Sequence, residues 1–157
     1  MNEYRISIDP GLDAGFALWD EATWAQCVAP VRADLWRGRG PAWQARAHSV
    51  ANRFEAEICA GGCVGAYCEF PTFYDNPGGH MVAKRGDLGK LYYVIGALGQ
   101  VAERLDVPFE LISVPEWKGQ LPKAVVNNRI VQRIGALDIK SHSWDAVGIG
   151  LYAKGFF

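Results

Sequence analysis

The chain is 157 residues long, half of them hydrophobic and 12% aromatic, which supplies apolar material for one packed core and excludes both a two-lobed architecture and a disordered chain. Sixteen lysines and arginines stand against seventeen aspartates and glutamates, a formal charge of −1. No global basic field advertises nucleic acid, and an anionic partner would have to be held by a local patch.

The N-terminus enters an alternating pattern at once, with no leader-like segment, and no apolar run approaches the ~18 residues of a membrane span. A cytoplasmic protein without a membrane partner is expected. Tyr4, Ile6 and Ile8 alternate with Arg5, Ser7 and Asp9, so the spacing predicts a strand over 4–9 that ends on Asp9, opposite the isoleucine face. Pro10-Gly11 turns the chain. Residues 14–19 and 23–29 read as two further strands joined by Asp20-Glu21-Ala22, an antiparallel meander. An arginine-bearing loop with Arg32, Arg37 and Arg39 leads to Trp43, Ala47, Val50, Ala51, Phe54 and Ile58, one stripe at helical spacing that Gly61-Gly62 ends.

Residues 63–70 form an apolar run stopped by Pro71, and 109–114 a similar run between Pro108 and Pro115, as buried strands do. Between them Leu88, Leu91, Tyr92, Ile95, Leu98 and Ala102 trace a second amphipathic helix. Pro122, at a first helical turn, opens a third helix with Val125, Val126, Ile130 and Ile134, and 146–153 makes a fourth. The four cysteines, Cys27, Cys59, Cys63 and Cys68, form no Cys-x-x-Cys pair and sit in apolar runs, so they read as core thiols of a reducing compartment. The order predicts a single α/β domain over 1–157, a mixed five-stranded sheet with helices on both faces, which is the order of the RNase H-like fold.

Asp9, in Ile8-Asp9-Pro10-Gly11, reads either as an ordinary Asp-Pro-Gly turn or as a functional carboxylate. Glu69 ends a buried strand, where a charge either reaches solvent or is kept for chemistry. His142 and Asp145 are three apart and share a helix face, although Ser141 or Ser143 can cap that helix with Asp145 complementing its dipole. In this fold the ends of the first and fourth strands lie side by side and the last helix starts across them. Three carboxylates and an imidazole brought together would repel unless divalent cations intervene, and this oxygen-rich set suits Mg²⁺ or Mn²⁺. Two such ions activate water and stabilise the leaving oxygen of a phosphodiester.

At these residues the sequence resembles the RuvC-type Holliday junction resolvases. Ile8-Asp9-Pro10-Gly11-Leu12 with Gly15 looks like the family's first motif, Tyr67-Cys68-Glu69-Phe70 its second, and His142-Ser143-Trp144-Asp145-Ala146-Val147-Gly148-Ile149 its C-terminal motif. Arg85-Gly86-Asp87-Leu88-Gly89-Lys90 matches a helix-opening segment of the family. The resemblance spans nearly the whole chain and implies that Asp9, Glu69, His142 and Asp145 form the metal-binding and catalytic set, with two Mg²⁺ or Mn²⁺ ions and histidine at a position that is more often acidic. Lys118 and Lys123 look like the family's two lysines. The connection between them is shorter here than in typical bacterial members, with Gly119-Gln120-Leu121-Pro122 in place of a glycine-rich stretch.

A lysine beside the scissile phosphate offsets developing charge, which gives Lys118 a catalytic role; the alternative for Lys118 and Lys123 is solvated surface. Lys84, Arg85, Lys90 and Arg129, with Lys118 and Lys123, are the candidate phosphate contacts, and Arg133 lies four residues beyond Arg129. Phe73 and Tyr74, on a loop rich in proline and glycine, can stack on unpaired bases at a branch point, whereas Phe70 reads equally as a cover for the core. The expectation is therefore a homodimeric, metal-dependent endonuclease that cleaves four-way branched DNA, with outward apolar positions on the 88–102 helix as candidate dimer surface. Rival readings are a nuclease of broader branched-DNA or flap preference and a non-catalytic branched-DNA binding module. The Asp-x-Gly start also resembles the phosphate loop of actin-like ATPases, which need a second lobe that this length cannot supply.

Overall fold

The computed structural model describes residues 2–72 and 86–156. Its centre is a five-stranded sheet in the order β3-β2-β1-β4-β5. β1 (Tyr4–Asp9) pairs antiparallel with β2 (Asp13–Asp20), and β2 antiparallel with β3 (Arg32–Arg37). β1 also pairs parallel with β4 (Cys63–Phe70), which pairs parallel with β5 (Phe109–Ser113). The mixed sheet expected from the sequence is present, with helices on both faces, and it is the RNase H-like arrangement.

The third strand of the meander is not the predicted one. Residues expected as a strand over 23–29 begin instead as helix α1 (Glu21–Gln26), and the segment expected as an arginine-bearing loop is β3. Asp20 decides the difference locally. Its carboxylate accepts from the Thr23 backbone N–H and from Thr23 Oγ1, both at 2.8 Å, an N-cap that starts a helical turn regardless of the apolar spacing that follows.

On one face of the sheet lie α2 (Trp43–Cys59) and α3 (Asp87–Arg104), which cover Ile6, Ile8, Phe16, Ala66 and Cys68 with Val50, Phe54, Val94 and Leu98. The α3 stripe differs from the predicted one at Tyr92, which is exposed, while Val94 and Val101 point inward. The opposite face carries α1, a four-residue helix α4 (Val114–Trp117), α5 (Lys123–Ile134) and α6 (Ser141–Ala153) over Ala17, Trp19 and Ile112. α4 was not expected; Ser113 and Glu116 form a reciprocal capping box around Pro115 that nucleates it. Pro122 caps α5 from outside rather than sitting in its first turn, and α6 begins at Ser141, five residues before the expected start.

The cysteines are free thiols, but only Cys68 is buried, and Cys59, expected in the core, is exposed at the end of α2. Among the described residues no helix is long and apolar enough to cross a membrane.

α6 lies unusually close to the sheet. Ser7 Oγ, on the β1 face away from the isoleucines, donates to the carbonyl of Ala146 at 2.7 Å and accepts from Trp19 Nε1 at 2.9 Å. A methyl group at Gly15 would stand 2.0 Å from the carbonyl oxygen of His142, a separation no packing tolerates. Gly15→Ala is therefore expected to push the start of α6 off the sheet and to destabilise the fold by about 3 kcal/mol, measured by urea unfolding, where overpacking usually costs about 1–3. A wild-type midpoint in that variant would show that α6 does not need this approach.

Candidate active site

Alternation along β1 puts Asp9 on the same face as Ser7, toward α6, and the register sets it opposite Gly15 of β2. In parallel β4, Cys68 stands beside Ile8 and is buried in the opposite core, so Glu69, one residue on, emerges next to Asp9 on the α6 side. The first turn of α6 crosses above Gly15 and supplies His142 and, one turn later, Asp145. The structure thus brings the four predicted residues to one end of the sheet.

Their contacts are unequal. His142 Nδ1 and Asp9 Oδ2 are 2.7 Å apart. One ligand atom each from Asp9, His142 and Asp145 lies within 4.8 Å of the others. Glu69 is held just beside this group by residues from the α4 turn: its Oε2 accepts from Trp117 Nε1 at 2.8 Å and pairs with Lys118 Nζ at 3.2 Å. Lys118 also stands 3.6 Å from Asp145 Oδ1 and 4.4 Å above the Trp117 ring. Lys123 Nζ reaches Asp145 Oδ2 and Ser141 Oγ, both at 2.8 Å.

Asp9 is 7% exposed and Asp145 5%, so their charges are costly unless compensated. Burial, the largest influence, raises the Asp9 carboxyl above its ordinary range; the His142 hydrogen bond opposes the rise and the charge of Asp145 adds to it. Glu69 is likewise raised, first by burial and then by Asp9, with Lys118 and the Trp117 hydrogen bond opposing. His142 is raised chiefly by its hydrogen bond to Asp9, against its own partial burial. Asp145 Oδ1 is buried with no hydrogen-bond partner among the described residues, although Lys118 lies nearby. A buried acid oxygen left without a donor, converging with an imidazole and a second carboxylate, is the donor set a divalent cation takes, and the three groups fit one.

Lys118 and Lys123, expected near the phosphate or on solvated surface, are both ion-paired to the acids. Lys90 pairs with Asp87 at 3.7 Å and borders a cleft with Leu12, just past the Asp9 turn. Arg129 is exposed on α5. Arg133 is engaged structurally: it donates to the carbonyls of Cys27 and Gln26, closing the end of α1, and stacks on Phe156 at 3.9 Å. Phe70 packs at the edge of the core with its ring 5.4 Å from Tyr92. Phe73, Tyr74, Lys84 and Arg85 lie outside the described residues. Sequence reasoning missed Trp117 as the partner of Glu69. Nothing local points from an indole to a carboxylate 48 residues away.

No protein-family model matches the sequence, and no curated protein does. Among solved structures the chain is similar to Thermus thermophilus RuvC in complex with Holliday junction substrate, at 17% identity with a TM-score of 0.73, covering 98% of this chain and 97% of that one. It is also similar to a further Thermus thermophilus RuvC structure, at 17% identity and a TM-score of 0.69, over 97% and 96% of the two chains. Over the described residues the fold is that of RuvC.

The Asp9–His142 contact makes a direct prediction for the metal-free protein. Followed by NMR, His142 titrates above the ordinary imidazole value of 6.5, and Asp9→Asn brings it down because the carboxylate that holds its proton is gone. A His142 that titrates at or below the ordinary value in the wild type would show that the pair does not form.

Proposed function

We propose that this chain is a metal-dependent, structure-selective DNA endonuclease that resolves four-way junctions by paired phosphodiester hydrolysis as a homodimer in the cytoplasm. The observation that carries the reading is the convergence of Asp9, His142 and Asp145, with Glu69 beside them, at one end of a RuvC fold, a fold that a Thermus protein presents to a Holliday junction. Asp9, His142 and Asp145 would hold a divalent cation, Mg²⁺ or Mn²⁺, and Glu69 would complete a second position. Such ions polarise the phosphodiester and lower the pKa of attacking water.

The chain's own residues do the rest. Burial on β1 and in the first turns of α6 fixes the acids before substrate arrives. Lys118 and Lys123 neutralise the concentrated negative charge, and their ammonium groups are the donors nearest to an incoming phosphate, where Lys118 offsets charge developing on it. His142 keeps Nδ1 on Asp9, which orients the ring, so Nε2 would be the atom that holds the cation and, with no cation on it, the atom that takes up or releases a proton. Lys90 and Arg129, with Lys84, Arg85, Phe73 and Tyr74, are the further DNA contacts in this reading. The exposed Tyr92 and Tyr93 of α3 offer an apolar surface for the second subunit.

Asp9→Asn and Glu69→Gln are expected to lower Mg²⁺-dependent junction cleavage by about a hundredfold or more while gel-shift affinity in Ca²⁺ holds. Retention of most activity by either variant would remove that residue from the site. Lys118→Ala separates chemistry from binding: the single-turnover rate at saturating protein is expected to fall by about a hundredfold with little change in affinity. On a supercoiled plasmid that extrudes a cruciform, paired nicks within one complex give mostly linear product. Accumulation of nicked circles by a monomeric protein would favour a broader branched-DNA nuclease instead.

A further inference from the structure

A second feature lies outside the acidic site. Between edge strand β3 and helix α2 runs a groove of about 600 Å³ lined by Arg32, Arg37, Arg39 and Arg53, with Ser49 and Asn52. Its α2 wall is a stripe at helical spacing, since positions 49, 52, 53 and 56 share one face. Asp34 is the acid in the lining, and Glu57 behind it pairs with Arg32 at 2.6 Å and Arg53 at 3.1 Å. Arg37 and Arg39 are exposed and make no ion pair with any described residue. In a chain of net charge −1, this is a concentration of positive charge that the acidic site does not use.

The groove is aligned with that site. Asp9 faces Gly15 and Gly15 faces Leu35, so Leu35 is level with Asp9 two strands away, about 10 Å, and Arg37, which faces Asp13, lies two residues further on at the same end of the sheet. The segment that follows is tied to the catalytic turn: the Gly38 N–H donates to the Leu12 carbonyl at 2.8 Å, and Arg46 binds both the Gly38 carbonyl at 3.2 Å and Asp13 Oδ1 at 3.1 Å. Gly38 permits the approach, because a methyl group there would meet the Leu12 oxygen at 2.2 Å. The aromatic floor is closed to bases: Phe16 and Trp36 are buried and stacked on each other with centroids 4.4 Å apart, and Arg32 covers Phe16. What remains open to a ligand is guanidinium, hydroxyl and amide, donors for phosphate oxygens that outnumber the one exposed carboxylate of Asp34, with no surface for stacking.

We propose that the groove between β3 and α2 is a DNA-arm site, in which Arg37 and Arg39 bind the phosphate backbone of a duplex leaving the active site, without reading its sequence or its branch point. The inference rests on the nuclease reading for its ligand, and its test is arranged so that the two can fail separately. Binding is measured in Ca²⁺, by fluorescence anisotropy against salt, for a linear duplex and for a four-way junction, with wild type, the double variant Arg37→Ala/Arg39→Ala and the double variant Arg37→Lys/Arg39→Lys.

Because a backbone contact is blind to branching, the alanine variant is expected to lose about tenfold in affinity for both DNAs, with a salt slope shallower by about two. The lysine variant should retain most of the affinity, and the alanine variant's single-turnover rate at saturating protein should equal that of wild type. Unchanged affinity and slope would overturn the proposal and leave the arginines as guards of a sheet edge or a dock for an acidic protein. A loss confined to the junction, or a lowered saturated rate, would overturn it too, placing these residues at the branch point or in the chemistry. A wild-type protein without preference for the junction would sink the resolvase reading, while the duplex titration would still judge the groove.

Discussion

The structure depends on how closely one helix approaches one sheet. α6 lies against β2 at a distance that glycine permits at two places, Gly15 beneath His142 and Gly150 where a methyl group would come 2.6 Å from Trp19, and it lies as close to α4 at Gly148, where a methyl group would come 2.5 Å from Trp117. Ser7 fixes the helix along its axis through its hydrogen bond to Ala146, and Trp19 in turn orients Ser7. Removing the Ser7 hydroxyl would strand the buried Trp19 indole N–H, a cost of about 1–3 kcal/mol, and would leave the Ala146 carbonyl with its helical hydrogen bond alone. These contacts involve none of the four acid and imidazole side chains, yet they set the height at which His142 and Asp145 meet Asp9.

That approach creates an electrostatic difficulty which the α4 turn and the start of α5 resolve. Three carboxylates stand at one end of the sheet, two of them almost fully buried, and burial first and their mutual repulsion second raise Asp9 and Glu69 above the ordinary carboxyl range. Lys118 bridges Glu69 and Asp145, Lys123 pairs with Asp145, and Trp117 supplies Glu69 with a neutral donor. Trp117 serves both needs, since its indole packs against Gly148 of α6 while its N–H fixes a carboxylate. Packing and charge compensation are thus carried by one side chain, and the orientation of Glu69 follows from the fit of α4 against α6.

The two faces of the sheet divide the labour. The α2–α3 face is a continuous apolar core, with Ile6, Ile8, Phe16, Phe54 and Leu98 at its centre. The α6 face carries polar groups inside it, Ser7 and Ser143 among them, and the acids at its end. The rigid apolar side keeps the strands in register, and the register alone sets Asp9, Gly15, Glu69 and Arg37 at one end.

Much of this was legible along the chain. Alternation in Tyr4–Asp9, the helical stripe from Trp43 to Ile58 and the apolar run of Cys63–Phe70 each reflect burial on one or both faces, which acts residue by residue and leaves a period in the sequence. Asp9 and Glu69 stand out for the same reason, each a carboxylate at the end of an apolar run, but that pattern also fits an ordinary turn or a solvent contact, and the set of four with His142 and Asp145 came from the resemblance to a family. The third strand was not legible: Arg32–Arg37 lies at the sheet edge with alternate residues in solvent, so its pattern is faint, and the capping of α1 by Asp20 outweighed the apolar spacing of the residues expected as a strand. The pairing of Trp117 with Glu69, the capture of Asp145 by Lys118 and Lys123, and the line of arginines beside α2 were decided by tertiary structure alone. Each joins residues from different elements, and the distance between them is set by how the helices pack on the sheet and on one another, which no local period records.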